Sequence, residues 1–227
     1  MDHNSILRPF HALLSDGVQV THIPVNPESG ILDPDALSAA IRPDTRLVAV
    51  HHASNVTGTI QPLPAIASIC RDASIPLLVD AAQTAGKVPI NVGTMGVDLL
   101  ACPGHKGLLG PLGTGALYIR PGLEDQLEPL REGGTGSRSD EAVQPLELPD
   151  RYESGSPNAI GLAGLDAALG WILDQGVAHL WAVEQEHSAL MLDGLQAIPG
   201  LRVLGPTSPA SRCGVFSITL EGIECEE

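Results

Sequence analysis

The chain has 227 residues, of which 43% are hydrophobic and 17% are charged, and its formal net charge at pH 7 is −15. This size and balance allow one α/β domain, or one domain and part of another, and they argue against a disordered chain. The strong negative charge argues against a nucleic-acid partner or an anionic membrane, because both require clustered Lys and Arg.

The cysteines and the N-terminus indicate a cytoplasmic protein. The four cysteines are far apart in the chain, and no His/Cys cluster has the spacing of a zinc site, so we predict no bound metal. Reduced thiols in a cytosol explain them better than a disulfide framework. The opening MDHNSILRPF lacks the apolar stretch of a signal peptide, and no apolar run is long enough to span a bilayer.

Apolar runs and turn residues predict alternating strands and helices. This order is typical of an α/β fold with a mostly parallel sheet and helices on both faces. We predict a large domain over 1–175 and a linking helix with an incomplete small α/β domain over 176–227. The predicted elements, in chain order, are a strand over 18–25, a helix over 33–41, a strand over 46–51, a helix over 62–70, strands over 77–79, 96–102 and 115–119, an irregular region over 123–154, helices over 159–173 and 177–195, and strands over 200–204 and 214–220.

Polar residues follow three of these strands. Asn55 comes after the strand over 46–51, Asp80 and Gln83 come after the strand over 77–79, and His105 and Lys106 come after the strand over 96–102. Ligands of open parallel sheets bind beyond the carboxyl ends of the strands, so we expect these side chains to share one site.

The glycines around Lys106, in PGHKGLLGP, predict a lysine that a cofactor can approach closely. A lysine amine in a desolvated site has a lowered pKa and can form a Schiff base. Enzymes that use pyridoxal 5'-phosphate (PLP) need such a lysine, together with a carboxylate beside the pyridine nitrogen. Asp80, 26 residues before Lys106 in the sequence, is a candidate for that carboxylate. An isolated loop lysine exposed to solvent is the alternative interpretation.

Five segments resemble one known family, in the family's order. They are MDHNSILRP, HASNVTGT, VDAAQTAG, GHKGLLGPLGTGALYI and RYESGSPN. The chain is similar to the class V aminotransferase-fold PLP enzymes, in the branch that contains cysteine desulfurases and selenocysteine lyases. The resemblance covers nearly the whole chain.

The resemblance implies PLP as cofactor and a role for each matching residue. Lys106 would be the Schiff-base lysine and proton carrier, Asp80 would pair with the pyridine nitrogen, and His3 would stack on the ring and assist proton transfer. The other implied contacts are Asn55 and Gln83 near the phenolic oxygen, His105 at the phosphate, and Gly155 and Ser156 at the phosphate of the neighbouring subunit of a homodimer.

Three departures from the family pattern stand out. Pro103 occupies a position where a Ser or Thr hydroxyl often binds phosphate, and Ser156 stands where Thr is common. The family also has a long segment before the stacking histidine and a catalytic cysteine loop in its C-terminal domain. We therefore interpret the chain as a fragment whose catalytic cysteine is expected beyond residue 227, and neither Cys213 nor Cys225 is expected to be the nucleophile.

The function predicted from the resemblance is removal of sulfur from cysteine or a cysteine-like amino acid, with a sulfur-acceptor protein as a further partner. A class V transaminase, a selenocysteine lyase and a catalytically inactive dimerising fragment are the alternatives. We expect the 227-residue chain alone not to release alanine and sulfide from cysteine.

Overall fold

The computed structural model describes residues 1–224. Four strands, β1 (Val48–His51), β2 (Leu77–Asp80), β3 (Leu99–Pro103) and β4 (Gly115–Ile119), form one sheet in that spatial order. The first three strands are parallel, and β4 is antiparallel to β3. The predicted α/β fold with a mostly parallel sheet is confirmed.

Six α-helices, three short 3₁₀ helices and a small two-stranded sheet complete the architecture of the described residues. A short antiparallel sheet joins β5 (Leu201–Val203) and β6 (Ile218–Leu220). No helix within residues 1–224 is long and apolar enough to cross a membrane. The helices are α1 (Asn4–Leu13), α2 (Pro34–Ala40), α3 (Leu63–Asp72), α4 (Val92–Met95), α5 (Ala159–Gln175) and α6 (Val177–Gln196).

The core lies between α3 and the sheet. Leu63, Ile66 and Cys70 are spaced by three and four residues and are buried on one face of α3, the pattern of an amphipathic helix. Leu77 and Val79 of β2 are fully buried in the same cluster. Each fully buried aliphatic side chain of this kind contributes about 1.5–3 kcal/mol. This packing fixes the central strands whose ends carry the candidate site.

The prediction of a strand over 18–25 is wrong. The segment has no regular secondary structure, and its only ladder contact within the described residues is an isolated bridge between Val25 and Leu32. A cavity of about 760 Å³ is lined both by residues 17–23 and by residues 44–50, so the segment does not pair with β1. A strand needs a partner for its backbone groups, and alternation of side chains does not supply one.

Two helices were not predicted. The first, α1, begins after His3, which serves as its N-cap and accepts a hydrogen bond from the Ser5 amide at 3.2 Å. Pro9 inside the helix conceals it in the sequence, although apolar residues at 6, 7, 10 and 13 follow a helical spacing. The second, α4, is a single turn capped by Asn91.

Two strands form the edges of the large sheet. At one edge lies β1, which lines the 760 Å³ cavity. At the other lies β4, where Gly115, Ala116 and Leu117 are exposed. The sheet therefore ends, within the described residues, in two strands that have one strand neighbour each.

Candidate active site

The carboxyl ends of the three parallel strands lie side by side. His51, at the end of β1, is the register partner of Asp80 at the end of β2, and Asp80 is in turn the partner of Ala101 in β3. The loops that leave these ends carry the polar residues singled out in the sequence. Their shared edge follows from the parallel register.

Asp80 is half-buried and has one oxygen committed to the backbone. Its Oδ1 accepts a hydrogen bond from the Ala82 amide at 2.8 Å, while Oδ2 has no hydrogen bond within residues 1–224. Burial and the Asp80 charge raise the pKa of the nearby Cys102 thiol, which therefore stays protonated at neutral pH. The free oxygen of Asp80 is a fixed acceptor at the edge of the sheet.

Lys106 lies in the turn that follows β3. Its carbonyl accepts a hydrogen bond from the Leu109 amide at 2.9 Å, and in the same turn the Gly110 amide donates to the Gly104 carbonyl at 2.7 Å. The side chain is exposed and has no ion pair within the described residues. The full sequence has only one other lysine, Lys87, and its Nζ lies 3.3 Å from Oε2 of Glu184 on α6. Lys106 is thus the lysine without an ion pair in the described residues, its side chain is exposed rather than desolvated, and its Schiff-base role stays a prediction.

Two glycines hold the Lys106 turn against the loop that follows Asp80. A Cβ on Gly86 would lie 2.2 Å from the Gly107 carbonyl oxygen, and a Cβ on Gly107 would lie 2.3 Å from the Ala85 carbonyl oxygen. Gly86 also has φ +81°, a left-handed conformation that glycine adopts at little cost. The two backbones are in direct contact, which brings the lysine loop to the aspartate loop.

Asn55 and Gln83 differ in their surroundings. Asn55 is exposed in a loop that is built on Ser54, whose Oγ accepts from the amides of Val56 at 3.1 Å and Thr57 at 3.2 Å. Gln83 is half-buried, and its backbone carbonyl accepts from the Cys213 thiol at 3.8 Å. Both side chains follow the strand ends, as predicted, and their contacts with a cofactor stay predictions.

The N-terminus is tied to the same edge of the sheet. Oδ1 of Asp2 accepts from the His51 amide at 3.0 Å and lies 2.8 Å from Nδ1 of the His51 ring. This pair places His3, the next residue, near the end of β1. The His3 ring is exposed and caps α1, and its stacking role stays a prediction.

The residues predicted to bind phosphate are exposed. No side-chain hydrogen bond within residues 1–224 joins His105, Gly155 or Ser156 to the other candidate residues. The Gly155 amide donates instead to the Gly134 carbonyl at 2.7 Å in the irregular region. Their roles stay predictions, and contact with a second subunit is the arrangement that the resemblance implies.

Cys213 has the properties of a structural thiol. It is buried, and burial with the charge of Glu184 raises its pKa to about 12, so it carries no thiolate at neutral pH. This agrees with the expectation that Cys213 is not the nucleophile. Cys225 lies outside the described residues.

His52 is a buried residue beneath the site, and no pattern in the sequence indicates its environment. Its amide donates to the Asp80 carbonyl at 2.8 Å, and its Nδ1 lies 2.9 Å from Oγ1 of the buried Thr84. Burial, followed by the charge of His51, lowers the pKa of His52 to about 4. The ring is therefore neutral in the folded chain at pH 5–7.

This burial makes folding stability depend on pH. The unfolded His52 binds a proton below its ordinary pKa of about 6.5, whereas the folded one does not until about pH 4. Stability is therefore lost as pH falls from 6.5 towards 4. We expect the free energy of unfolding, measured with urea, to be about 2 kcal/mol lower at pH 5 than at pH 7.

A pair of variants separates His52 from the other groups. His52→Asn should flatten the dependence between pH 7 and pH 5, whereas His22→Asn, at an exposed position, should leave it as in the parent chain. An unchanged slope in His52→Asn would assign the effect to another group.

Comparisons with known proteins agree with the resemblance. The family described as aminotransferase class-V matches residues 1–227. A probable cysteine desulfurase of Methanothermobacter thermautotrophicus is 34% identical over 230 residues, covering 99% of this chain and 56% of the relative. The apo cysteine desulfurase from Thermococcus onnurineus NA1 has a TM-score of 0.84 and 32% identity over 98% of this chain and 56% of that one. A structure described as SspA in complex with cysteine has a TM-score of 0.75 and 28% identity, over 97% and 56%.

The chain is much shorter than the relatives that it matches. The chain spans about half the length of the relatives that it matches, 56% in each of these three cases. Its residues align along nearly their whole length with one part of a longer protein.

Proposed function

Because the chain belongs to the aminotransferase class-V family, we propose that it is the PLP-binding part of an enzyme that removes sulfur from cysteine or a cysteine-like amino acid. The similarity to proteins named cysteine desulfurase supports the reaction, and the structure described with cysteine supports the substrate class. The observation that carries the proposal is the contact of Gly86 with Gly107, which holds Lys106, the lysine with no ion pair to the described residues, beside the loop of Asp80.

The residues at this edge fit PLP. Oδ2 of Asp80, which has no hydrogen bond to residues 1–224, is an acceptor for a protonated ring nitrogen, and the Lys106 amine has no ion pair in the same range and can meet an aldehyde. Asn55 and Gln83 supply amide groups for the phenolic oxygen, and His105 would reach the phosphate. When bound, PLP supplies an aldehyde that captures an amine and a ring that withdraws electrons from the adjacent carbon.

The chain's own residues would then orient the cofactor and move protons. The Asp80 carboxylate would hold a proton on the ring nitrogen, Nζ of Lys106 would take and return the proton of the substrate α-carbon, and His3 would stack on the ring. Removal of sulfur also needs an attacking thiolate, and that residue is proposed to lie in the longer protein. The boundary proposed between the cofactor domain and the small domain falls near Gly176, where α5 gives way to α6.

We propose that the protein works as a homodimer in which Gly155 and Ser156 bind the phosphate of the neighbouring subunit. The composition of α5 supports association, because this helix exposes apolar residues on one side: Ile160 is 90% exposed, and Trp171, three turns later, is 48% exposed. Apolar faces of this kind mark surfaces that are covered in the assembled protein. A sulfur-acceptor protein and a cytoplasmic location complete the proposal, and Cys70, Cys102 and Cys213 are free thiols, as a reducing compartment favours.

A catalytically inactive dimerising fragment is the second candidate. The length of the chain, about half that of its relatives, favours it. A transaminase and a selenocysteine lyase share the PLP chemistry and differ in the substrate.

Titration of the chain with PLP tests the proposal. We expect a visible absorbance band that saturates, and borohydride treatment should fix the cofactor to a single peptide containing Lys106. A colourless chain, or label on Lys87, would contradict it. The two lysines lie in different peptides, so peptide mass mapping distinguishes them directly.

A further inference from the structure

The segment over residues 205–217, which we name the clamp segment, binds the loop that carries Asn55. Three consecutive carbonyls of that loop accept hydrogen bonds from it. The pairs are Ser217 Oγ to Val56 at 2.5 Å, Arg212 Nη2 to Thr57 at 3.1 Å, and the Cys213 amide to Gly58 at 2.9 Å. More than 150 residues of chain separate the partners, so this contact is set by the tertiary fold.

The fit between the two segments leaves no room for a side chain at either glycine. A Cβ on Gly58 would lie 2.7 Å from the Val215 carbonyl oxygen, and a Cβ on Gly205 would lie 2.9 Å from the Thr57 Cβ. Both glycines also have positive φ. The Asn55 loop is therefore held by backbone contact as well as by hydrogen bonds.

Arg212 is the central residue of this contact. Its side chain is fully buried and has no carboxylate partner within the described residues. The guanidinium binds the carbonyls of Pro206, Thr57 and Val215, and it lies 4.2 Å from the centre of the Phe216 ring. Nε of Arg212 is buried and has no hydrogen-bond partner within the described residues, so the buried charge is satisfied by the bonds of its two terminal nitrogens. A planar guanidinium reaches several carbonyls as an ammonium cannot.

The next residues carry the contact to the second loop of the site. The Cys213 thiol donates to the Gln83 carbonyl at 3.8 Å, and the Gly214 amide donates to Oε1 of Glu184 at 2.8 Å. Glu184 in turn pairs with Lys87, four residues after Gln83. One short segment thus touches the loops of both residues assigned to the phenolic oxygen of the cofactor.

We propose that Arg212 is a positioning residue that sets Asn55 at the cofactor site by holding the carbonyls of its loop. This inference rests on the proposed function for the role of Asn55, whereas the clamp itself rests on the contacts alone. Two measurements separate the two parts: hydrogen exchange of the chain without cofactor, and the absorbance of bound PLP as a function of pH.

Hydrogen exchange tests the clamp. The amides of Val56, Thr57 and Gly58 are bonded to Ser54, so their protection reports the loop. We expect Arg212→Lys to increase their exchange rates at least tenfold, and Ser217→Ala to increase them less. Arg202→Lys, at an exposed position on β5, is the matched control and should leave them unchanged. Unchanged protection in both Arg212→Lys and Ser217→Ala would overturn the clamp.

The pH midpoint of the PLP absorbance band tests the positioning. Asn55→Ala removes a donor to the phenolic oxygen and should raise the midpoint by about 1 unit or more. Arg212→Lys should raise it in the same direction, and the double variant should match Asn55→Ala alone, because both act on one contact. Ser217→Ala should raise the midpoint by a smaller amount, and it replaces Arg212→Lys in this test if that variant does not fold.

The outcomes are distinct. A lower melting temperature with the parent's midpoint would make Arg212 a purely structural residue and overturn the proposal. Additive shifts in the double variant would also overturn it. A parent chain with no PLP band would instead refute the proposed function, and the exchange rates would then decide the clamp alone.

Discussion

Lys106→Ala is expected to abolish the covalent attachment of PLP and its visible absorbance band. The chain has only two lysines, and the other is engaged with Glu184 on α6. An alanine offers no amine to the cofactor aldehyde, so borohydride treatment should leave the protein unlabelled. Absorbance titration and the mass of the intact chain measure both effects.

Two further variants serve as controls. Lys87→Ala removes the other lysine and should keep the band and the label, because its amine is held 3.3 Å from a carboxylate oxygen. Lys106→Arg keeps a positive charge at the site but should lose the label as completely as the alanine variant. Label that persists in Lys106→Ala, or disappears in Lys87→Ala, would show that the chemistry belongs to the other lysine.

Gly86→Ala is expected to lower the free energy of unfolding by about 2–5 kcal/mol. A left-handed backbone costs an alanine about 1–2 kcal/mol, and overpacking against a backbone adds about 1–3 kcal/mol. Here the added Cβ would meet the Gly107 carbonyl oxygen at 2.2 Å. Since domains are stable by only about 5–15 kcal/mol, the loss is a large share of the total, and urea unfolding measures it.

Gly194→Ala is the matched control for this substitution. Gly194 lies within α6 and is exposed, and a Cβ added there would point into open space. The same added methyl group should stabilise the helix by about 0.5–1 kcal/mol. A Gly86→Ala chain as stable as the parent would show that the two loops can separate without cost.

Local patterns predicted most of the α/β elements. Leu63, Ile66 and Cys70 identify α3 by their spacing, and Asp33 with Pro34 identifies the start of α2. The signal for α3 is strong because three apolar residues share one helix face, and the signal for α2 is strong because a capping residue is followed directly by a proline. The segment over 18–25 has the same alternation as a strand and yet has no strand partner within the described residues, which no local pattern can reveal.

The position of the candidate residues at the strand ends was predicted, and their roles stay predictions. Parallel strands end at one edge of a sheet, so the grouping of Asn55, Asp80 and Lys106 follows from topology together with the family resemblance. The contact of Gly86 with Gly107 and the burial of Arg212 join residues far apart in sequence, and their neighbours in the chain give no sign of either. Long-range packing of this kind appears only in the folded structure.

The exposed edge strand β4 has a practical consequence for the isolated chain. It contains no lysine or proline, the residues that commonly discourage one sheet from adding to another. Aggregation by edge-to-edge strand addition will therefore compete with cofactor binding at high protein concentration. Cofactor titrations are best made on dilute samples whose size is checked by light scattering.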